Sequence, residues 1–235
     1  MFYYFYDLFV ESLAFLNIFQ YITLRSAFAG ITSFFIIILL TPKFINFMNQ
    51  RNFVENISSY LTQHHTKKGT PNMGGVVIGL SITFSSLLFG NFSNTNFLLV
   101  LGAYLLFAFS GFIDDLIKLR KGVGLSISKK IVMQIVITLL LICFFIMKID
   151  GFSYSNSFIG NTSIVLPFTK ELFNLGLSYY LLCFLIILGS ANAVNLTDGL
   201  DGLATGSLLS TVGALFLLTY IAGNSIYTNY LYLPY

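Results

Sequence analysis

Long apolar segments recur along the chain, and no other feature restricts its fold as strongly. They fall roughly at residues 22–41, 73–90, 96–113, 131–149, 175–191 and 203–222. A helix that crosses a bilayer needs about 20 consecutive residues of mainly apolar character. The sequence therefore predicts an all-α, polytopic membrane helix bundle with about six transmembrane helices.

The scarcity of charge argues against a large soluble core as the reason for these segments. Of the 235 residues, 56% are hydrophobic and 9% are charged, whereas soluble domains average about 25% charged residues. Cys143 and Cys183 each lie inside an apolar run, which favours small buried side chains over a disulfide or a metal pair. Residues 1–235 are predicted to form a single integral membrane domain.

Two segments outside the predicted spans have patterns of their own. Residues 1–20 are rich in aromatic side chains, lack the basic region of a signal peptide and contain Asp7 and Glu11. We expect an interfacial or partly inserted helix there. Between the fourth and fifth spans, Gly, Ser and Asn flank a β-branched run, which predicts a short extracytoplasmic hairpin.

The basic residues indicate the orientation of the chain in the membrane. Nine of the twelve Lys and Arg residues lie in the loops after the first and third spans. The positive-inside rule places those loops in the cytoplasm, and the loop after the fifth span then lies on the same side. Since the basic residues set orientation, they are not interpreted as a nucleic-acid site. We expect the bilayer as a partner and no nucleic acid.

Asp114 and Asp115 form an acidic pair at the end of the third apolar segment. Neighbouring positions on an α-helix are rotated by about 100°, so one carboxylate can face a cavity while the other pairs locally. Lys118 lies within ion-pairing reach of both on one helix face. The pair is interpreted either as an interfacial helix end neutralised by Lys118, or as a metal ligand or general base.

A second polar segment, NAVNLTDGLDGLA, lies between the fifth and sixth apolar segments. If it is helical, Asn192, Asn195 and Asp198 share one stripe, with Asp201 at its edge. The glycines of DGLDG could instead break the helix and free backbone N–H groups for an anion. A polar re-entrant turn that only packs against its neighbours is the non-functional alternative.

A third polar segment, HHTKKGTPNMGG, combines Lys67 and Lys68 with a turn near a helix start. Both features favour phosphate, although the spacing is not that of a Walker A loop. The three segments could converge on the cytoplasmic face. Carboxylates and lysines there suit a polyanionic substrate bridged by Mg²⁺, which takes one or two protein carboxylates. Phosphoryl transfer then depends mainly on positioning and charge stabilisation.

These motifs resemble those of the phospho-N-acetylmuramoyl-pentapeptide-transferases, within the superfamily of polyprenyl-phosphate sugar-1-phosphate transferases. The resembling stretches are KKGTPNMGG (67–75), FIDDLIKLRKG (112–122), GLSISKK (124–130) and NAVNLTDGLDGLA (192–204). The resemblance implies transfer of phospho-N-acetylmuramoyl-pentapeptide from UDP to undecaprenyl phosphate with Mg²⁺. It would give lipid I and UMP at the cytoplasmic face of the bacterial inner membrane.

The resemblance also implies roles for single residues. Asp114 and Asp115 match the family's aspartate pair, one of which would assist attack by the lipid phosphate, and Asp198 is a further catalytic residue and a metal ligand. The implied substrate-binding residues are Lys67, Lys118, Lys130, Asn195, Gly199, Leu200 and Asp201. The lysines would line the cavity, and residues 199–201 would form the wall of the uracil pocket.

The chain departs from the family pattern in two ways. Asn72 stands where many members have Thr, and about six spans are visible where members have about ten. An aspartate motif that supplies a metal ligand and a histidine-rich motif are not found. We therefore expect a fragment or split product that needs a complementing C-terminal part, and that could form a homodimer.

Three alternatives remain open from the sequence. A sister enzyme would transfer N-acetylglucosamine-1-phosphate to the same lipid. A transporter with broken helices and buried carboxylates is a different class, but the acids lie at helix ends on one side and no inverted repeat is visible. An inactive membrane protein is the third.

Overall fold

The computed structural model describes residues 14–51, 73–151, 162–165, 172–198 and 202–231. Within these ranges, a short 3₁₀ helix at Ala14–Gln20 precedes the first α-helix. The α-helices are α1 (Ile22–Gln50), α2 (Gly74–Phe89), α3 (Thr95–Lys121), α4 (Ile127–Gly151), α5 (Ser178–Thr197), α6 (Leu203–Ala222) and α7 (Ser225–Leu231). Between α4 and α5 lie two short strands, β1 (Ser163–Val165) and β2 (Leu172–Asn174).

The predicted all-α, multi-pass membrane architecture is confirmed. Within the described ranges, α1, α3, α5, α6 and the Ile127–Met147 part of α4 are long and apolar enough to cross a membrane. The apolar helix α2 has 16 residues, which corresponds to a length of about 24 Å. Large apolar side chains are exposed along all of these helices, as expected where lipid is the solvent.

The chain divides into two compact units, Met1–Met133 and Gln134–Tyr235, and the boundary falls inside α4. Each unit is described by itself. The prediction of a single membrane domain over residues 1–235 stays a prediction.

An aromatic cluster joins the 3₁₀ helix to the first two α-helices. The Phe19 ring centroid lies 5.8 Å from that of Phe28 and 6.3 Å from that of Phe89, and Phe28 and Phe89 are 6.2 Å apart. Such spacings suit offset aromatic pairs. The remainder of the predicted N-terminal interfacial helix, residues 1–13, lies outside the described residues.

A tight turn connects α2 to α3 and sets these two helices antiparallel. The Asn94 side chain caps α3, since its Oδ1 accepts hydrogen bonds from the backbone N–H groups of Asn96 (2.9 Å) and Phe97 (3.3 Å). This is the usual role of Asn at a helix N-terminus. At the start of the turn, directly after α2, a Cβ on Gly90 would collide with the Phe97 ring and with the Ser86 carbonyl oxygen. The turn therefore requires glycine at this position.

We expect Gly90→Ala to destabilise this turn by about 1 kcal/mol or more, because the added methyl group overlaps backbone as well as ring atoms. Gly102→Ala is the matched control, because a Cβ there meets no atom within 4 Å and alanine favours a helix. Thermal unfolding of the detergent-solubilised chain measures both. Equal midpoints for Gly90→Ala and the wild type would contradict the predicted close approach.

The predicted hairpin between the fourth and fifth spans is confirmed. Strand β1 pairs antiparallel with β2, with Ser163 opposite Asn174 and Val165 opposite Leu172. Thr162 Oγ1 donates to Asn174 Oδ1 (2.8 Å), and the same oxygen accepts from the Gly176 N–H (2.9 Å). The predicted extracytoplasmic position of the hairpin stays a prediction.

Candidate functional site

The C-terminal end of α3 carries the aspartate pair and is closed by a sharp turn. Gly122 adopts a left-handed conformation (φ 73°) and donates its N–H to the Lys118 carbonyl (2.9 Å), which is a common helix ending. The last turn of α3 contains Lys118, Arg120 and Lys121, and positive charge there is favoured by the helix dipole. Residues 122–126 then reverse the chain into α4.

Asp114 holds this turn against α3 through both carboxylate oxygens. Its Oδ1 accepts the Leu125 N–H at 2.7 Å, and its Oδ2 lies 2.6 Å from Lys130 Nζ in the first turn of α4. The two side chains are 21% and 33% exposed, respectively. Charge-assisted hydrogen bonds of this length are among the stronger ones in proteins. Asp114 therefore links α3, the turn and α4.

Gly124 permits this close approach. A Cβ at position 124 would lie 2.8 Å from Asp114 Oδ1, which is too close for carbon and oxygen without a shift of the carboxylate. The close approach of the backbone to Asp114 therefore explains why a glycine occupies this position of the GLSISKK stretch.

Asp115 has different surroundings, in agreement with the rotation of about 100° between neighbouring helix positions. It lies at one end of a groove of about 840 Å³ between α2 and α3. The remainder of the lining is mainly apolar, with Gly79 and Tyr104 near the far end, where the Tyr104 hydroxyl donates to the Gly79 carbonyl (3.2 Å). Asp114 thus bonds to the turn and to α4, and Asp115 lies beside a cavity.

Of the two alternatives that the sequence left open for the second polar segment, a continuous helix and a broken one, the structure shows the broken helix. Helix α5 ends at Thr197, and Asp198 has non-helical angles (φ −80°, ψ 54°). Helix α6 begins at Leu203 after Gly202, whose φ is 82°. Gly202 adopts a left-handed conformation that favours glycine. The alternative of a broken helix is therefore the correct one.

Within α5, Asn192 and Asn195 have different surroundings. Asn192 Nδ2 donates to the Leu188 carbonyl one turn earlier (2.8 Å), so its side chain contributes to the helix itself. Asn195 lies one turn from the end of the helix and is exposed. Of the two asparagines, Asn195 is the more exposed.

Asp198 follows directly after the C-terminal end of α5. Its backbone N–H donates to the Val194 carbonyl (3.2 Å) and its side chain is exposed. A carboxylate at this end of a helix faces the negative end of the helix dipole, which is unfavourable unless a cation lies nearby. The position therefore suits a carboxylate that binds a cation.

The described carboxylates have the oxygen donors that a magnesium ion prefers. Across the ranges that the structure describes, three or more His, Cys, Asp or Glu residues are nowhere grouped as a metal site would need. Magnesium requires only one or two protein carboxylates and retains water and phosphate oxygens. Asp198, which is exposed at the end of α5, has the chemistry to supply one of them.

The structure brings together only some of the predicted site residues. Asp114, Asp115, Lys118 and Lys130 lie in the first compact unit, and Asn195 and Asp198 lie in the second. The predicted residues outside the described ranges are Lys67, Gly199, Leu200 and Asp201. The predicted convergence of the three polar segments stays a prediction.

Sequence reasoning missed the ion pair between Asp114 and Lys130. The spacing pointed to Lys118, because partners on one helix are three or four residues apart. Lys130 is on the next helix, beyond the turn that Gly122 starts. The two glycines that flank Val123 were the available signal, because they mark a tight turn that returns α4 towards the end of α3.

The long apolar helices of the described residues indicate a multi-pass membrane protein. Residues 97–233 match the model of glycosyl transferase family 4. This match covers more than half of the chain, and the chain belongs to that family.

Curated relatives support the same assignment over the rest of the chain. The phospho-N-acetylmuramoyl-pentapeptide-transferase of Leptospira biflexa is 36% identical over 242 residues, which cover 100% of this chain and 65% of the relative. The enzymes of the same name from Aquifex aeolicus and Pelagibacter ubique are 39% and 36% identical, over 93% and 96% of this chain. The chain spans 60–65% of the length of these relatives.

Proposed function

We propose that the chain provides part of an enzyme that transfers phospho-N-acetylmuramoyl-pentapeptide from its UDP carrier to undecaprenyl phosphate. The products are lipid I and UMP, and the reaction belongs to peptidoglycan synthesis. The observation that supports this most strongly is similarity to transferases of that name along the whole chain. It therefore includes both the Asp114–Lys130 segment and the segment around Asp198.

In the proposed reaction, an oxygen of the lipid phosphate attacks the β-phosphorus of the UDP-sugar. A new phosphorus–oxygen bond forms, and the bond from that phosphorus to the oxygen bridging it to UMP breaks. The lipid thus receives the sugar together with one phosphate, and UMP leaves. Charge on the phosphates is the main obstacle to the reaction, so positioning and charge neutralisation supply most of the catalysis.

Particular residues of this chain have the chemistry for these tasks. Asp115, at the end of the groove, orients the attacking phosphate or takes its proton. Lys130, held in place by Asp114 (2.6 Å), and Lys118 neutralise phosphate charge. Asn195 hydrogen-bonds the sugar phosphate. Asp198 would hold Mg²⁺ together with a ligand from the complementing C-terminal part, and the ion would neutralise phosphate charge when bound.

The proposed setting follows from the charge distribution of the sequence. The ends of α3 and α5 would face the cytoplasm, with the chain in the bacterial inner membrane. Lys67 would contact phosphate, and Gly199, Leu200 and Asp201 would contact uracil. The chain is further proposed to act together with a complementing C-terminal part and to form a homodimer.

The test offers radiolabelled UDP-N-acetylmuramoyl-pentapeptide and UDP-N-acetylglucosamine, in parallel, to membranes that contain the chain and undecaprenyl phosphate. One arm contains the chain alone, and another adds the C-terminal region of the Leptospira biflexa relative. We expect lipid-linked muramoyl product in the second arm, lost on chelation of Mg²⁺ and regained when Mg²⁺ is added back.

Each contrary outcome removes a different part of the proposal. Label only from UDP-N-acetylglucosamine would favour the sister activity. Robust transfer by the chain alone would refute the need for a complementing part. Transfer that persists after chelation would refute the Mg²⁺ dependence.

A further inference from the structure

Helix α5 sets the level in the bilayer at which the β1–β2 hairpin lies. The helix has 20 residues, which corresponds to a length of about 30 Å and matches the thickness of the hydrocarbon core. Its first turn carries Tyr179 and Tyr180, whose rings form an edge-to-face pair with 5.9 Å between centroids. Tyrosine is enriched where a span meets the head groups. The N-terminal end of α5 therefore lies at the membrane interface, and only residues 175–177 separate β2 from it.

Backbone hydrogen bonds tie the hairpin to α5. The Leu175 N–H donates to the Thr162 carbonyl (2.8 Å), which closes the base of the hairpin. The Ser178 N–H donates to the Leu175 carbonyl (3.1 Å), and the Tyr179 N–H donates to the Gly176 carbonyl (3.2 Å). The hairpin therefore follows the position of the helix in the bilayer.

The hairpin and the turn to α5 expose large apolar side chains. Phe173 is 53% exposed and Leu177 is 86% exposed. Leu177 has helical backbone angles (φ −62°, ψ −26°), so Leu181 and Leu185 follow it at intervals of four residues on one side of the helix. Both are also exposed. The apolar surface of the turn is therefore continuous with the lipid-facing surface of α5.

The polar groups of the hairpin are bonded within it, which lowers the cost of leaving water. Asn174 Oδ1 accepts from the Thr162 hydroxyl and from the Gly176 N–H, and residues 162–165 and 172–178 contain no charged side chain. A two-stranded hairpin alone is only marginally stable in water. Within the described part of the second compact unit, neither strand packs extensively against a helix. The bilayer, which begins at this level, offers the missing surface.

We propose that the hairpin docks on the bilayer surface, with Phe173 and Leu177 inserted among the phospholipid head groups and the first carbons of the acyl chains. Ile164 lies directly opposite Phe173 in the register, so both side chains are on one face of the hairpin, and this face rests on lipid. Docking holds the N-terminal end of α5 at a fixed depth. Because the helix is continuous to Thr197, it also fixes the depth of Asp198 at the other end.

Single tryptophan probes test the proposal on the 235-residue chain in phosphatidylcholine vesicles, because the chain itself contains no tryptophan. Phe173→Trp and Leu177→Trp report on the hairpin and the turn. Leu185→Trp, two turns into α5, is the control for the hydrocarbon core. Arg120→Trp is the control for water, since it is exposed and lies about 10 Å beyond the end of the predicted third span.

The measurement is quenching of tryptophan emission by acrylamide in the water, or by phosphatidylcholine brominated either near the head group or near the chain ends. Interfacial side chains lie about 5–10 Å into the boundary between head groups and acyl chains. We therefore expect bromine near the head group to remove about half or more of the emission of Phe173→Trp and Leu177→Trp. Acrylamide should quench both weakly. Leu185→Trp should respond most to bromine near the chain ends, and Arg120→Trp should respond mainly to acrylamide.

Three results would overturn the proposal. Strong acrylamide quenching of both probes, as in Arg120→Trp, would place the hairpin in water. The pattern of Leu185→Trp would place it in the hydrocarbon core and not at the surface. Quenching by neither reagent would show that protein covers the face, either a second copy of the chain or another part of it. The two probes report independently, and thermal unfolding identifies a variant that does not fold, so the remaining probe decides.

Discussion

Replacing Asp115 with asparagine is expected to lower muramoyl transfer by about 100-fold or more, because acid–base and positioning groups contribute on that scale. Asparagine has nearly the same shape as aspartate but no negative charge. The change should therefore leave the α2–α3 groove formed and remove only the charge at its end. The assay is the radiolabelled transfer reaction with the C-terminal region of the Leptospira biflexa relative supplied.

The control for this variant is Arg120→Gln, which changes an exposed charge at the same end of α3. We expect a change of only a few-fold there, mainly in the concentration of substrate that is required. If Asp115→Asn retained more than a third of the wild-type rate, Asp115 would have no part in the reaction. An equal loss in both variants would assign the effect to charge at this surface in general.

Replacing Asp114 with alanine is expected to act through the structure of the turn. It removes the acceptor of the Leu125 N–H and the partner of Lys130 in one change. The Leu125 N–H and the Lys130 ammonium would then lose their shared partner. We expect the free energy of unfolding to fall by about 2 kcal/mol, and not more, because the ion pair is partly exposed to solvent. Transfer should fall as well, because Lys130 would no longer be held in position.

A double-mutant cycle separates the two functions of Asp114. Asp114→Asn retains an oxygen for the Leu125 N–H and loses the charge that pairs with Lys130, so we expect it to be milder than Asp114→Ala. Combined with Lys130→Met, it should show a coupling of about 0.5 kcal/mol or more in thermal unfolding. Additive effects of the two substitutions would show that the ion pair contributes nothing to stability. Unchanged stability of Asp114→Ala would refute its role in holding the turn.

Hydropathy predicted where the spans lie but not where the helices end. Helix α1 continues from the predicted limit at residue 41 to Gln50, past Pro42, and α3 continues from residue 113 to Lys121. Apolar content reports the depth of a residue in the membrane, whereas a helix continues into water while its backbone hydrogen bonds persist. Directly before Pro42, the Thr41 hydroxyl donates a hydrogen bond to the Ile37 carbonyl (2.6 Å), so a side chain adds to the hydrogen bonding of the helix there.

In the candidate site as well, features that depend on helix geometry could be predicted from the sequence, whereas contacts between helices could not. The rotation between Asp114 and Asp115 follows from helix geometry alone, so the sequence allowed one carboxylate to pair locally while the other faced a cavity. The partner of Asp114 depended on the path of the chain through Gly122 and Gly124, which spacing does not give. The break after Thr197 was one of two open alternatives, since DGLDG permits both a helix and a turn.

The central claim is that the sugar is transferred together with one phosphate, and labelling the β-phosphorus of UDP-N-acetylmuramoyl-pentapeptide with ³²P tests it most directly. The reaction is run with undecaprenyl phosphate, Mg²⁺ and the complemented chain, and the lipid and nucleotide products are then separated. We predict that the label appears in the lipid product and that the released nucleotide is unlabelled UMP. Label retained in released UDP, with unlabelled sugar on the lipid, would contradict the claim, as would the absence of any lipid product.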